Sequence, residues 1–137
     1  MKNYILCSIL LAGLFASGQN HNLKINVAGI HSEQGKIMYS MFSSKHGFPS
    51  DASKAVRKGM VLIEGDHVQI QVDLPPGDYA VILFHDEDDN DDLKKNFIGM
   101  PKEGVGNSNN HRGFPNYKKS VFTLSKDRTI TINLWYS

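Results

Sequence analysis

Tyr79 to Phe84 is an unbroken apolar run, Tyr-Ala-Val-Ile-Leu-Phe, and it constrains the fold more than any other stretch. A strand that is apolar at every position needs cover on both faces, whereas an alternating strand needs cover on one. Alternating segments surround this run. Leu23, Ile25 and Val27 alternate with polar residues, and so do Val68, Ile70 and Val72. Lys36 to Phe42, Met60 to Ile63, Ser120 to Leu124 and Thr129 to Tyr136 complete a set of seven predicted strands. The last two read as a hairpin around Ser125-Lys126-Asp127-Arg128. Such a pattern predicts an all-β domain whose central strand is covered on both sides, a β-sandwich.

One short helix is expected among the strands. Ser50 or Asp51 can cap it, Ala52, Ala55 and Val56 lie inside it, Arg57 and Lys58 fall near its end, and Gly59 supplies a stop. In Leu74-Pro75-Pro76-Gly77-Asp78-Tyr79, Pro76 and Gly77 suit the two central positions of a type II turn, with Gly77 at positive φ. Ile98 to Tyr117 shows no clear period.

The N-terminus has a separate logic. Lys2 gives a positive start, Tyr4 to Phe15 is almost wholly apolar, and Ala16-Ser17-Gly18 offers small residues. That order is the pattern of a secretory signal peptide, with cleavage expected between Gly18 and Gln19. The apolar run of about a dozen residues is short of the roughly 20 that span a bilayer. Residues 1–18 are therefore expected to be removed, leaving 19–137 as a single domain that is periplasmic or secreted. Cys7 is the only cysteine, and Tyr4-Ile5-Leu6 before it is not a lipidation box. The exported chain then has no disulfide, so packing or a bound ion must hold it together. A formal net charge of +1 gives no reason to expect a nucleic-acid partner.

Charge is concentrated at one place. Of 14 acidic residues, six fall between Asp86 and Asp92, immediately after the apolar run. Asp86, Asp88 and Asn90 form a D-x-D-x-N ladder whose alternate oxygens suit a hard cation, because Ca²⁺ takes six to eight oxygen ligands. The ladder is not an EF-hand: Asp91 stands where that loop has glycine, and Phe97 where it has a bidentate glutamate. Asp92 or Glu103 could complete the set. The competing reading is a solvated acidic tip. Zinc fits less well, since the exported chain holds no cysteine and no closely spaced histidine pair.

Three pieces of sequence carry a resemblance. They are Leu74-Pro75-Pro76-Gly77-Asp78-Tyr79-Ala80, then His85-Asp86 with Asn90 and Leu93, then Gly99-Met100-Pro101-Lys102-Glu103-Gly104 with Gly106 and Ser108-Asn109-Asn110. In these the chain resembles the exported bacterial proteins grouped as domain of unknown function 2141, over roughly Leu23 to Tyr136. The resemblance implies an Ig-like or prealbumin-like sandwich and an export route, and it implies no activity. The family usually places Leu-Asp after the asparagine; here Leu93 is followed by Lys94, which removes one candidate oxygen ligand.

Two classes of function remain open on the residues. An enzyme would need His85, Asp86, Glu103, Ser108 and His111 to meet in one cleft, with the backbone of 104–110 serving a substrate anion. No nucleophile elbow, Ser-x-x-Lys or His-Glu-x-x-His motif supports that reading. A binding or structural module needs only the long connection 98–117, whose Phe114 and Tyr117 could stack on a glycan, a peptide or a surface protein, beside Lys102 and Arg112. Long structureless connections inside compact domains tend to be functional. His85 and Glu103 are candidates for the same ligand.

Overall fold

The computed structural model describes residues 19–91 and 103–136. The expected signal peptide and Asp92 lie outside the described residues. The architecture is a β-sandwich of two sheets. One sheet has three strands in the order β4 (Val68–Leu74), β1 (His21–Ala28) and β8 (Arg128–Asn133). The other runs β3 (Arg57–Leu62), β2 (Lys36–Phe42), β5 (Gly77–Asp86) and β6 (Val105–Asn107), with β7 (Val121–Leu124) also paired to β5. The eighth strand is β6, three residues taken from the stretch that has no readable period.

β5 is the central strand that its composition demands. Tyr79, Val81 and Leu83 point between the sheets, where they meet Leu23, Ile25 and Val27 of β1, Ile70 of β4 and Ile132 of β8. Ile82 points outward and packs with Phe42 and Val105 under Phe48, Ala55, Tyr117 and Trp135. Burying a large aliphatic or aromatic side chain stabilises by roughly 1.5–3 kcal/mol. The double burial of β5 therefore fixes its place in the middle of its sheet. On its far edge β6 pairs with Ile82 to Phe84 and β7 with Gly77 to Ala80.

Three local expectations are corrected. The expected helix after Asp51 is one 3₁₀ turn, Ala52–Lys54; Asp51 does cap it, accepting the Ser53 N–H at 3.1 Å. The chain is extended again from Arg57, and Gly59 is no helix stop. It lies in β3 opposite Tyr39, where a Cβ would stand 2.6 Å from the tyrosine hydroxyl. The α-helix is instead Tyr117–Ser120, capped by Asn116. The presumed terminal hairpin is not one. β7 pairs with β5 in one sheet, while β8 pairs parallel to β1 in the other, so Ser125 to Asp127 crosses the sandwich. Finally, Gly77 has no positive φ. Leu74 to Gly77 is a corner between sheets rather than a type II hairpin turn, and the Tyr79 hydroxyl closes it by donating to the Pro75 carbonyl at 2.6 Å.

Candidate functional site

The last residues of β5 carry the chemistry. Alternation sends His85 to the inner side and Asp86 to the outer, and both are fully buried. His85 Nε2 lies 2.6 Å from the Gln34 carbonyl. A carbonyl can only accept, so Nε2 carries the hydrogen. Nδ1 lies 2.8 Å from the Tyr136 hydroxyl, which itself accepts the His31 N–H at 3.2 Å. Burial pushes the Tyr136 phenol above its ordinary pKa, so it keeps its proton. The His31 ring stacks on Tyr136 at 3.8 Å. Both His85 nitrogens are thus used to pin the β1–β2 connection and the C-terminal segment to β5.

Asp86 organises the loop that follows. Its Oδ1 accepts the Asn90 N–H at 3.1 Å and its Oδ2 the Asp91 N–H at 2.8 Å. These bonds wrap the chain back over the strand end, with Asp89 and Asp91 at φ of 56° and 65°. The turn places two sets of carboxylates around Asp86. In one, Asp86, Asp88 and Glu103 each bring a carboxylate oxygen within 4.8 Å of the others. Glu103 is buried and anchored, its Oε2 accepting the Glu87 N–H at 2.8 Å. In the other set, Asp86, Asp89 and Asp91 converge equally closely, and here the protein supplies its own cation. Lys36 Nζ lies 2.9 Å from Asp89, bonds to Asp91 and stands 3.8 Å from Asp86. The hydrogen bonds to Asp89 and then Asp91 raise the Lys36 pKa above its ordinary value, so the ammonium stays charged.

The D-x-D-x-N ladder is therefore divided. Asp86 and Asp88 come together with Glu103, while the Asn90 amide donates to Asp88 Oδ2 at 3.1 Å. Lys36 is the residue that sequence reasoning missed. It is cross-strand to Asp86 in the β2–β5 register, and no local signal announces a register.

The remaining candidates lie elsewhere. Ser108 is buried against Val81, accepting its N–H at 3.1 Å and donating to the Ser120 carbonyl. Val81 is four residues from His85 on β5, roughly 13 Å along the strand, so the presumed catalytic cleft is not assembled. The asparagines around Ser108 are stitches. Asn107 accepts the His111 N–H at 3.1 Å; Asn109 donates to the Lys119 and Val121 carbonyls. Asn110 reaches across the sandwich to β8, donating to the Thr131 carbonyl at 3.0 Å and accepting the Asn133 N–H at 2.8 Å. Tyr117 packs edge-on against Phe48 at 5.8 Å, whereas Phe114 is 58% exposed. Arg112 is exposed as well, and Lys102 lies outside the described residues.

No curated protein and no solved structure matches this chain. The family described as DUF2141, an uncharacterized protein conserved in bacteria, matches residues 25–133. That span runs from β1 to the end of β8 and includes the Asp86 loop, Glu103 and the asparagine stitches. By the extent of that match, this chain is a member of the DUF2141 family.

Proposed function

We propose that the protein is an exported β-sandwich module, binding or structural, whose acidic loop takes calcium on Asp86, Asp88 and Glu103. The convergence of those three carboxylates, two of them buried, is the observation that carries this reading. Like charges about 5 Å apart repel by a few kcal/mol at an effective dielectric near 20. Lys36 already serves the Asp86/Asp89/Asp91 set, and the oxygens of Asp86, Asp88 and Glu103 converge closely enough to share a divalent cation. All the donors are oxygens, the chemistry that suits calcium rather than zinc. Exposed Phe114 and Arg112 mark where a glycan, peptide or surface protein would dock. Nothing favours the enzyme reading: His85 spends both nitrogens on the fold, and Ser108 is buried far along β5.

Calcium at such an extracellular site binds with a Kd of roughly 10⁻⁴ to 10⁻³ M. With the ion in about tenfold excess, the gain is about 1.4 kcal/mol, a rise in Tm of roughly 4–6 °C. Melting curves in calcium and in chelator should differ by that amount. Coincident curves would leave the loop as a solvated acidic tip.

Export is tested independently. The apolar run and the small residues before Gln19 predict that protein recovered from periplasm or medium has the intact mass of a chain beginning at Gln19. A mass that still includes residues 1–18 would remove this part of the reading.

A further inference from the structure

The two sides of the sandwich are finished differently. On one side Asn110 bonds the outer edge of β8, and Trp135 exchanges N–H···O bonds with Val105 of β6 at 2.9 and 3.0 Å. On the other side β3 and β4 are the end strands of their sheets. β4 turns exposed Gln69, Gln71 and Asp73 outward and ends at Pro75-Pro76, a polar finish that discourages further pairing. β3 does the opposite. Met60 is 50% and Leu62 62% exposed, and its pairing with β2 runs without a bulge from Arg57 to Leu62. Among the described residues β3 forms its ladder with β2 alone. An edge that is regular, free of proline and exposes two large apolar side chains beyond its basic start is a template for another strand.

The side chains on that edge say which strand. Lys58, Met60 and Leu62 share one parity of β3 and therefore one face; Glu64, two residues past the end of β3 and bridged to His67, continues the alternation, and all four are exposed. Neither Lys58 nor Glu64 has an ion-pair partner among the described residues. The order basic, apolar, apolar, acidic is self-complementary about Val61. When β3 is laid antiparallel to a second β3 with Val61 opposite Val61, Lys58 faces the partner's Glu64 and Met60 faces the partner's Leu62. Shifting the register by two residues in either direction loses the Lys58–Glu64 pairing. Cross-strand pairs of opposite charge and of apolar side chains are what stabilise neighbouring strands, and a twofold interface repeats each of them.

We propose that β3 is a homodimer edge: two copies of this chain join antiparallel through β3, centred on Val61, into one continuous sheet across the twofold axis. Sedimentation of the purified protein tests this, with far-UV circular dichroism confirming that each variant is folded. Leu62 and Lys58 are exposed, so their replacement leaves the core intact. At about 0.1 mM, where a weak micromolar interface is populated, the wild type is expected as a dimer and Leu62→Lys as a monomer. Lys58→Glu sets like charges opposite each other twice and should weaken the dimer by about tenfold. Adding Glu64→Lys to it restores opposite charges and should return most of that loss. A monomeric wild type at this concentration would overturn the proposal. So would a dimer indifferent to Leu62→Lys, or one that Lys58→Glu weakens and the double reversal does not rescue, since the register is part of the inference.

Discussion

Replacing Gly35 by alanine should lower the melting temperature by more than about 12 °C, the loss of roughly 3 kcal/mol or more in a domain of this size. Gly35 sits at φ +75° just before β2, and a Cβ there would overlap the carbonyl oxygen of Asp86 and lie 2.8 Å from Glu87 Cα. A positive φ alone costs a non-glycine residue on the order of 1–3 kcal/mol. The overlap adds to this because both contacts are backbone and no rotamer relieves them. Pushing Gly35 away also moves Gln34, whose carbonyl holds His85, and Lys36, which holds the acidic loop. Gly65→Ala is the internal control. Gly65 has the same φ of +75° but nothing within 4 Å of the built Cβ, so it should show the backbone term only. Equal melting temperatures for the two variants would refute the close approach of the β1–β2 connection to the end of β5.

Asp86→Ala should lower stability by about 2–4 kcal/mol in calcium-free buffer and abolish the calcium-dependent part of the melting curve. A carboxylate that accepts backbone N–H bonds contributes about 1.5–3 kcal/mol for each, and Asp86 accepts two while fully buried. The Asn90 and Asp91 amides stand near solvent and find water in the variant, which keeps the total below the sum. Asp86→Asn recovers part of the loss, because one oxygen still accepts while the NH₂ confronts a second N–H donor. Equilibrium unfolding in urea separates these three proteins. The solvated-tip reading predicts the reverse sign for Asp86→Ala, since removing one of six clustered acids would relieve repulsion. A variant as stable as the parent would show that the two N–H bonds do not organise the loop.

Strand existence was largely legible in the residues, and so was the role of β5. Leu23, Ile25 and Val27 alternate because β1 has one face on the core, while the run from Tyr79 to Phe84 is unbroken because both faces are covered. The cap was legible as Ser50 or Asp51 because capping is a contact over two residues, and Asp51 makes it. The helix after it was misread: Ala55 and Val56 stand at helical spacing from Ala52, yet Val56 begins the approach to β3, its N–H donating to the Met41 carbonyl at 2.8 Å. β6 was invisible as a strand. Its three residues are all buried, and so short a segment cannot show a period.

Within the candidate site, composition marked the acidic loop, and the D-x-D-x-N spacing named Asp86, Asp88 and Asn90, with Asp92 or Glu103 to complete them. Which carboxylates converge, and on what, depended on contacts far apart in the chain. Lys36 meets Asp86 only because β2 and β5 pair in that register, and Glu103 reaches the loop only because the chain returns beside His85, whose N–H donates to the Gly104 carbonyl at 2.8 Å. β7 and β8 make the same point for the fold. Each alternates as a strand should, but the sheet each joins is decided by where Phe122, Leu124 and Ile132 find cover. Alternation records whether a residue is buried, a property written residue by residue. The partner that buries it is chosen by the packing of the whole sandwich, and that choice belongs to the tertiary structure.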